Sequence, residues 1–316
     1  MDVSLVICTY NRASILVHAL DSLTKQTAET SRYEIIVVDN NSTDETRSLV
    51  ERFAGHQANI RYVLEPRGGL SFARDAGFLA ASSEWIVYLD DDIKAQSDLV
   101  ERAMHVIEHY DFDCFGGLCR PWFEHKRPRW LHDRYVENEV GADVTTGVLE
   151  QDFAKGALIA FRKSILEELG GFTTPHGRSL GMTHGQLAYG EETRLQVEMR
   201  RRGYTIGFDR LLVVDHLVHP ERLQAGFFLR MRFAKGRDHW DTFDAEPTVV
   251  ELAKCLALAI IKPIGRLPGA LLRLLGQREY YLQNAVLDTI YPAATSLGQM
   301  YGGLRIRRMR NQPAAS

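Results

Sequence analysis

One stretch decides the fold of this chain: Ser83-Glu84-Trp85-Ile86-Val87-Tyr88-Leu89-Asp90-Asp91-Asp92. Its apolar run is short and rich in aromatic and β-branched residues, which predicts a strand buried on both faces. Three adjacent carboxylates repel one another, so we expect a cation where this strand ends. Mg²⁺ and Mn²⁺ prefer hard oxygen donors and leave positions open for substrate phosphates. The stretch therefore predicts a divalent metal site, with an acidic turn facing solvent as the alternative.

The composition is that of an ordinary soluble globular protein. The chain has 316 residues, of which 45% are hydrophobic and 25% are charged, enough for one large core or two smaller ones. A net charge of −3 gives no overall basic field, which argues against nucleic-acid binding. The four cysteines lack CxxC spacing and predict reduced thiols in a cytoplasmic protein. Neither a signal peptide nor a run of about 18 uninterrupted apolar residues is found, so we expect no transmembrane helix.

Strands and helices alternate along the first hundred residues. Apolar strands are predicted at 3–8, 33–38 and 60–64, and helices at 14–25, from the loop 39–44 to about 53, and 70–81. Fully apolar strands that alternate with helices predict a mostly parallel sheet covered on both faces. The fingerprint GxGxxG is absent after the first strand, which counts against a nicotinamide cofactor.

Polar residues follow three of these strands. The segment Thr9-Tyr10-Asn11, the single Asp39 and the acid triplet all stand where a strand ends. One polar turn means little, because turns are generally polar. In such sheets, however, ligands bind at the carboxyl ends of the strands. Three polar ends on one edge therefore predict a binding site there.

Four motifs, in this order and at this spacing, resemble family 2 glycosyltransferases. They are Val-Ser-Leu-Val-Ile-Cys-Thr-Tyr-Asn-Arg (3–12), Ile-Ile-Val-Val-Asp-Asn-Asn-Ser-Thr-Asp (35–44), Gly-Gly-Leu-Ser-Phe-Ala-Arg-Asp-Ala-Gly (68–77) and Leu-Asp-Asp-Asp (89–92). The resemblance implies the α/β GT-A fold, a Rossmann-like, mostly parallel sheet flanked by helices. It also implies transfer of a sugar from a nucleotide-diphosphate donor to an acceptor hydroxyl, with inversion at the anomeric carbon.

The resemblance also implies roles for individual residues. It assigns the nucleoside of the donor to Thr9, Tyr10, Asn11 and Asp39, and the ribose-diphosphate region to Arg74, for which a solvated helix charge is the alternative. It makes Asp90 and Asp92 the DxD pair, with Asp92 as the direct metal ligand, and Asp91 joins Asp90 among the donor contacts. Asp75 departs from the family, which usually has Asn there, and receives no role.

An acidic pair, Glu191-Glu192, opens a predicted helix that ends at Gly203. Acids in a first turn interact favourably with the helix dipole, which is the simple explanation. The functional one is a carboxylate that takes a proton from the acceptor hydroxyl. Glu192 matches the position where the family usually carries an Asp base, so we expect Glu192 to be the base and Glu191 to rank second. The loops 120–146 and 173–189 suit acceptor binding or a lid, with a packed surface excursion as the alternative for the first.

Two histidines, His216 and His219, follow the last predicted strand, 208–214. The resemblance favours His216 as a metal or diphosphate contact and leaves His219 as its rival. Imidazole suits Mn²⁺ better than Mg²⁺, and either ion is a candidate cofactor.

The motifs stop near residue 222, so we predict a catalytic domain at 1–225, with a nucleotide-binding half 1–118 and an acceptor half 119–225, and a helical C-terminal appendage at 226–316. Helices are predicted at 227–233 and 249–262, after which Pro263 and Pro268 break the sequence into pieces at 270–275 and 280–297. Apolar helices and the basic segment 305–310 suit peripheral contact with the inner face of a membrane through 249–310. Packing on the catalytic domain or on a second subunit of a homodimer is the alternative.

The sequence thus predicts a metal-dependent glycosyltransferase of the hexosyltransferase type that acts in polysaccharide, glycolipid or glycoconjugate synthesis. By family habit the donor is a UDP-sugar, although Asp39 suits the imide N–H of thymine as well as that of uracil. The acceptor is a glycan or a lipid-linked molecule. A sugar-1-phosphate nucleotidyltransferase and a non-catalytic sugar-nucleotide-binding protein are the alternatives. The acidic pair argues against the latter, because binding alone needs no base.

Overall fold

The computed structural model describes residues 1–136, 145–173 and 187–310. Its strands are β1 Val3–Thr9, β2 Tyr33–Asp39, β3 Ile60–Leu64, β4 Trp85–Asp90, β5 Ile93–Ala95, β6 Cys114–Trp122, β7 Thr146–Val148, β8 Leu158–Arg162 and β9 Ile206–Leu217. Its helices are α1 Ala13–Leu23, α2 Thr46–Ala54, α3 Leu70–Ala80, α4 Leu99–His109, α5 Asp133–Val136, α6 Lys163–Leu169, α7 Glu191–Arg201, α8 Ala225–Thr242, α9 Val249–Gly276 and α10 Leu282–Arg310.

These residues form two compact units. The first comprises the described residues 1–122, 145–173 and 191–217, and the second comprises 123–136, 187–190 and 218–310. The first unit contains the whole sheet, and the second is helical. The functional boundaries expected at residues 118 and 225 stay predictions.

The first unit is built on a nine-stranded mixed, mostly parallel sheet in the order β3-β2-β1-β4-β8-β6-β9-β5, with β7 paired to β9. β1 lies between β2 and β4, and Val6 stands in register with Ile36 and Tyr88 in two parallel pairs. β8 pairs antiparallel with both β4 and β6. The predicted alternation of apolar strands and helices is therefore confirmed for the first hundred residues.

Both faces of this sheet are buried because successive residues of the central strands point to opposite sides. Leu5 and Ile7 of β1 join a core that includes Leu16 and Leu20 of α1. Val6, between them, joins a second core on the other face. That second core is completed by residues of α3, α6 and α7, namely Ala73, Phe78, Leu166, Leu195 and Met199. The carboxyl ends of β1, β2 and β4 consequently emerge together between two layers of helices.

Two predictions of local structure are wrong. Ser164, which the sequence predicts as the N-cap of the helix after β8, is not a cap, because α6 begins at Lys163 with Arg162 in the N-cap position and no side-chain capping bond. Pro263 and Pro268 do not break the chain, because α9 runs unbroken through both. A proline inside a helix costs about 3 kcal/mol. The helix is nevertheless continuous, with a capping box of Thr248 and Glu251 at its start and buried residues on both sides of the two prolines.

The second unit is held together by close contact between α8 and α10. A Cβ on Gly236 would lie 2.1 Å from the carbonyl oxygen of Thr295, and one on Gly298 would lie 2.1 Å from that of Phe233. The two backbones can approach this closely only because both positions lack a side chain. Nearby, Trp130, Phe228 and Leu287 form the centre of an apolar cluster.

Substituting alanine at two helical glycines is expected to change stability in opposite directions. Glycine inside a helix is about 0.5–1 kcal/mol less favourable than alanine, so Gly265→Ala in α9, where a Cβ meets nothing within 4 Å, should stabilise the protein. Gly77→Ala in α3 should destabilise it by about 1–3 kcal/mol, because its Cβ would lie 2.4 Å from Cγ1 of Val6. Thermal unfolding of the two variants checks the signs. A more stable Gly77→Ala protein would contradict the close approach of α3 to β1.

Candidate active site

The acid triplet stands at the end of β4, and its members face different ways. Asp91 is buried and accepts hydrogen bonds from Oγ1 of Thr9 at 2.8 Å and from Nη1 of Arg12 at 2.6 Å. The same Nη1 lies 3.5 Å from Asp92. Burial raises the pKa of Asp91 to about 6, although the guanidinium of Arg12 lowers it. Asp91 therefore ties the ends of β1 and β4 together, and its contact with the donor stays a prediction.

Three side chains at this edge could hold a divalent metal. Nε2 of His216 lies 3.0 Å from Oδ1 of Asp92 and 3.7 Å from Oδ2 of Asp90. One donor atom from each of the three residues lies within 4.8 Å of the others. β9 brings the imidazole here, because His216 pairs with Ile93 just beyond the triplet. Two carboxylates and one imidazole suit Mn²⁺, so the donor set fits the predicted ion.

His219, the predicted rival ligand, belongs to the second unit, whereas His216 and the acid triplet belong to the first. Asp90 is the most exposed acid of the triplet, with 36% of its side-chain surface accessible. Its pKa is raised by burial and by the neighbouring Asp92, while His216 and Arg74 lower it. A bound cation would relieve this repulsion.

Arg74 joins the acid triplet to the acidic pair at the start of α7. It is 3% exposed, which makes the alternative of a solvated helix charge wrong. Its Nη1 lies 3.1 Å from Oε1 of Glu191 and 3.8 Å from Oε2 of Glu192. Its Nη2 lies 3.9 Å from Oδ1 of Asp90. The guanidinium of Arg74 thus contacts both the acidic pair and Asp90, one of the predicted metal ligands. The contact of Arg74 with the donor diphosphate stays a prediction.

The two glutamates of the pair have different environments. Glu191 is buried, and burial together with the neighbouring Glu192 raises its pKa from 4.5 to about 8, although Arg74 lowers it. The side chain of Glu192 is 20% exposed. Glu192 is the more accessible carboxylate of the pair, as a base that must reach a substrate proton should be.

The residues predicted to hold the nucleoside meet at the carboxyl ends of β1 and β2. Asn11 accepts a hydrogen bond from the backbone N–H of Thr43 at 2.7 Å. Asp39 is buried and accepts from the backbone N–H of Ser42 and from the hydroxyl of Tyr62, both at 2.8 Å. A carboxylate has about four acceptor sites, so Asp39 keeps capacity for an imide N–H. Tyr10 is half-buried in the same turn.

Several residues of the site are not singled out by the sequence. Arg12 is one arginine in a polar turn, and only its contacts with Asp91 and Asp92 distinguish it. Gly156 is a second: a Cβ there would lie 2.8 Å from Nη2 of Arg74 and 3.3 Å from Oε1 of Glu192. The signal that could have found Arg12 is its place directly after the first strand. For Gly156 a single sequence offers no signal.

Asp75, the departure from the family pattern, contacts the segment after α6. Its Oδ1 accepts the backbone N–H of Phe172 at 2.7 Å, and a Cβ on Gly171 would lie 2.3 Å from the same oxygen. The pKa of Asp75 is raised by burial, although hydrogen bonds from Phe172 and Thr173 lower it. This contact ties α3 to the segment after α6, which gives Asp75 a structural explanation.

The two predicted loops are described only in part. Residues 137–144 of the first loop and 174–186, which are most of the second loop, lie outside the described residues. Within the first loop, Trp130 is buried in the second unit, with its ring 6.1 Å from that of Phe228. Tyr135 lies 5.8 Å from the same ring. Trp130 and Tyr135 are therefore packed against other residues of the protein, as expected if the first loop is a packed surface excursion.

The model of the family described as "Glycosyl transferase family 2" matches residues 4–170 of this chain. The chain belongs to glycosyl transferase family 2. The matched range includes the acid triplet, Arg74 and the polar ends of β1 and β2. This family 2 chain is therefore a glycosyltransferase, as the sequence predicts.

Known proteins agree with this assignment. Glycosyltransferase AglE of Haloferax volcanii is 24% identical over 267 residues, which are 84% of this chain and 81% of that protein. The mannosyltransferase PcManGT from Pyrobaculum calidifontis, solved with GDP-Man and Mn²⁺, has a TM-score of 0.64 and 22% identity, and covers 96% of this chain and 86% of its own. S. aureus TarS 1–349, solved with UDP-GlcNAc, has a TM-score of 0.53 and 16% identity, with coverages of 99% and 93%. The predicted GT-A fold is confirmed.

Replacing Glu191 is expected to change how stability depends on pH. Because the pKa of Glu191 is raised to about 8, the native state keeps a proton that the unfolded chain loses above about 4.5. The free energy of unfolding should therefore fall between these two pH values as pH rises. Glu191→Gln should remove this fall in the free energy of unfolding. The check is the difference between the urea midpoints of variant and wild type, followed from pH 5 to pH 8.

The matched control is Glu168→Gln on the surface. The Tyr204 hydroxyl and Arg202 lower the pKa of Glu168, so it titrates below that window. The control should follow the wild-type protein throughout. If the free energy of unfolding of Glu191→Gln falls with pH as steeply as that of the wild-type protein, Glu191 is ionised at neutral pH.

Proposed function

We propose that this enzyme uses a divalent metal to transfer a sugar from a nucleotide-diphosphate donor to an acceptor hydroxyl, with inversion. The observation that carries the proposal is the position of Arg74. It lies 3.9 Å from Asp90, one of the metal-site acids, and 3.1 Å and 3.8 Å from the acidic pair. A group that binds a departing diphosphate and a group that accepts a proton are thereby held a few ångströms apart.

The metal would be held by Asp90, Asp92 and His216. When bound, Mn²⁺ or Mg²⁺ neutralises charge on the diphosphate of the donor. Arg12 supports these ligands from inside, because it contacts Asp91 and Asp92 and offsets the repulsion among the three acids. Thr9 fixes Asp91 from the other side. The ligands are thus oriented before the donor arrives.

Glu192 would act as the base. Its carboxylate takes the proton of the acceptor hydroxyl as the hydroxyl oxygen attacks the anomeric carbon. Attack from the face opposite to the diphosphate forms the new glycosidic bond and breaks the old one in a single displacement, which inverts the configuration. Glu191, which is buried beside Glu192, would position it and is the second candidate for the base.

The donor would be bound at the carboxyl ends of β1 and β2. Asp39 has acceptor capacity for the imide N–H of uracil, and Asn11 and Thr9 border the same edge. We propose a UDP-sugar as the donor. PcManGT was solved with GDP-Man and TarS with UDP-GlcNAc, and a guanine N–H would meet the same carboxylate, so a GDP-sugar is the second candidate. The acceptor would be a glycan or a lipid-linked molecule.

Nucleotide binding tests the donor site. We expect calorimetric titration to show that one of UDP, dTDP and GDP binds, and that Mn²⁺ strengthens binding relative to EDTA. Asp92→Asn should weaken the Mn²⁺-dependent part at least about 10-fold, because it removes a charged ligand. The control is Asp21→Asn on the exposed face of α1, where Asp21 pairs only with Lys25 among the contacts of the described chain. If no nucleotide binds in either condition, the proposed donor site is wrong.

Turnover tests the base. We expect Glu192→Gln to lower kcat by about 10²–10⁴-fold while the donor dissociation constant stays nearly unchanged, because general-base catalysis contributes that much to a reaction. Glu198→Gln on the same helix, where Glu198 pairs with Arg202 at the surface, is the matched control and should keep wild-type turnover. If Glu191→Gln abolishes turnover and Glu192→Gln does not, the base is Glu191.

A further inference from the structure

Helix α9 exposes a stripe of large apolar side chains along its whole length. Val250, Ile260, Ile261, Ile264, Leu272 and Leu275 are between 58% and 87% exposed. They recur at intervals that place them on one side of the helix, and over 26 residues the stripe is about 40 Å long. Single exposed apolar residues are ordinary, but a continuous patch of this length marks an interaction surface.

The opposite side of α9 packs against other residues of the second unit. Leu252, Cys255, Ala259 and Ala270 are buried, and Cys255 and Ala270 pack in clusters within the second unit. In the described chain α9 is the one helix long and apolar enough, by length and composition, to cross a membrane, yet only 17% of its most apolar window is buried. The exposed stripe is therefore not the core face of a soluble bundle.

The charge around the stripe indicates what covers it. Residues 249–310, counted from the start of α9, contain nine Lys or Arg and three acids, whereas the whole chain carries a net charge of −3. Lys254 is exposed on α9, on the same side as the stripe. Of the three acids, Glu251 caps the start of α9 and Asp288 is paired with Arg273. An apolar stripe in a segment of net positive charge is complementary to an anionic lipid surface.

We propose that α9 lies in the plane of an anionic bilayer surface, with its apolar stripe at the boundary between headgroups and acyl chains. Lys254 then meets lipid phosphates. A crossing orientation is disfavoured because Lys262 stands at the midpoint of α9 and would lie at the centre of the bilayer. An orientation that crosses the bilayer would also remove the buried contacts of α9. A second copy is disfavoured because two surfaces of the same positive charge would meet.

Flotation of the full chain with vesicles tests this surface. We expect at least about 10-fold more protein on phosphatidylcholine vesicles that contain phosphatidylglycerol than on phosphatidylcholine alone, with binding reduced by salt. Combining Ile261→Ser, Ile264→Ser and Leu272→Ser should abolish binding. The matched control carries serine at Leu64, Leu79 and Leu211, which are 51–65% exposed in the first unit, and should bind as the wild-type protein does. Circular dichroism shows whether both triple variants are folded.

Four outcomes would overturn the proposal. Folded wild-type protein that binds neither kind of vesicle would contradict it, and so would equal loss in the control variant. A solution dimer that only the α9 variant loses, without vesicle binding, would assign the stripe to a second copy. Tryptophan placed in turn at Val250, Ile261 and Leu272 should be quenched by brominated lipid at one shallow depth. A deep position for Ile261 alone would show that α9 crosses the bilayer.

Absence of the proposed lipid contact can be distinguished from failure of the proposed function. The α9 variant should keep nucleotide binding, because none of its substituted residues belongs to the candidate active site. Loss of vesicle binding with intact nucleotide binding therefore reports on the lipid surface alone.

Discussion

The first unit depends on how five neighbouring carboxylates are kept close together. Removing a charge from water is costly unless it is paired and hydrogen-bonded, and Asp91, Asp92 and Glu191 are all buried. Arg12 neutralises the inner acids of the triplet, and Arg74 neutralises the outer acid and the acidic pair. The sheet makes this possible, because the ends of β1, β4 and β9 deliver Thr9, the acid triplet and His216 to the same edge.

Much of this architecture could be predicted from the sequence. The strands β1 to β4 are short apolar runs that end in polar residues, and their alternation with helices leaves few possible topologies. The acid triplet is visible because three adjacent carboxylates after an apolar strand have few structural explanations. The acidic pair is different: a first helical turn often carries acids, so its interpretation as a base comes from the resemblance alone. Its burial against Arg74 is what the structure adds.

What the sequence could not predict depends on contacts between distant parts of the chain. Tyr62 and Asp39 are 23 positions apart, and Gly156 and Arg74 are 82 apart, so no local pattern links them. The two prolines of α9 mislead for a related reason. A local rule ends the helix at each proline, whereas α9 continues through both and has residues buried against distant parts of the chain before and after them.

The shared guanidinium of Arg74 has a consequence for how this enzyme tolerates change. A substitution that removes charge at Asp90 leaves more of the positive charge of Arg74 for the acidic pair, and a substitution at the pair does the same for Asp90. Effects of two such substitutions will therefore not add, since both act on one cation. Natural variation at the two ends of the site should therefore be correlated.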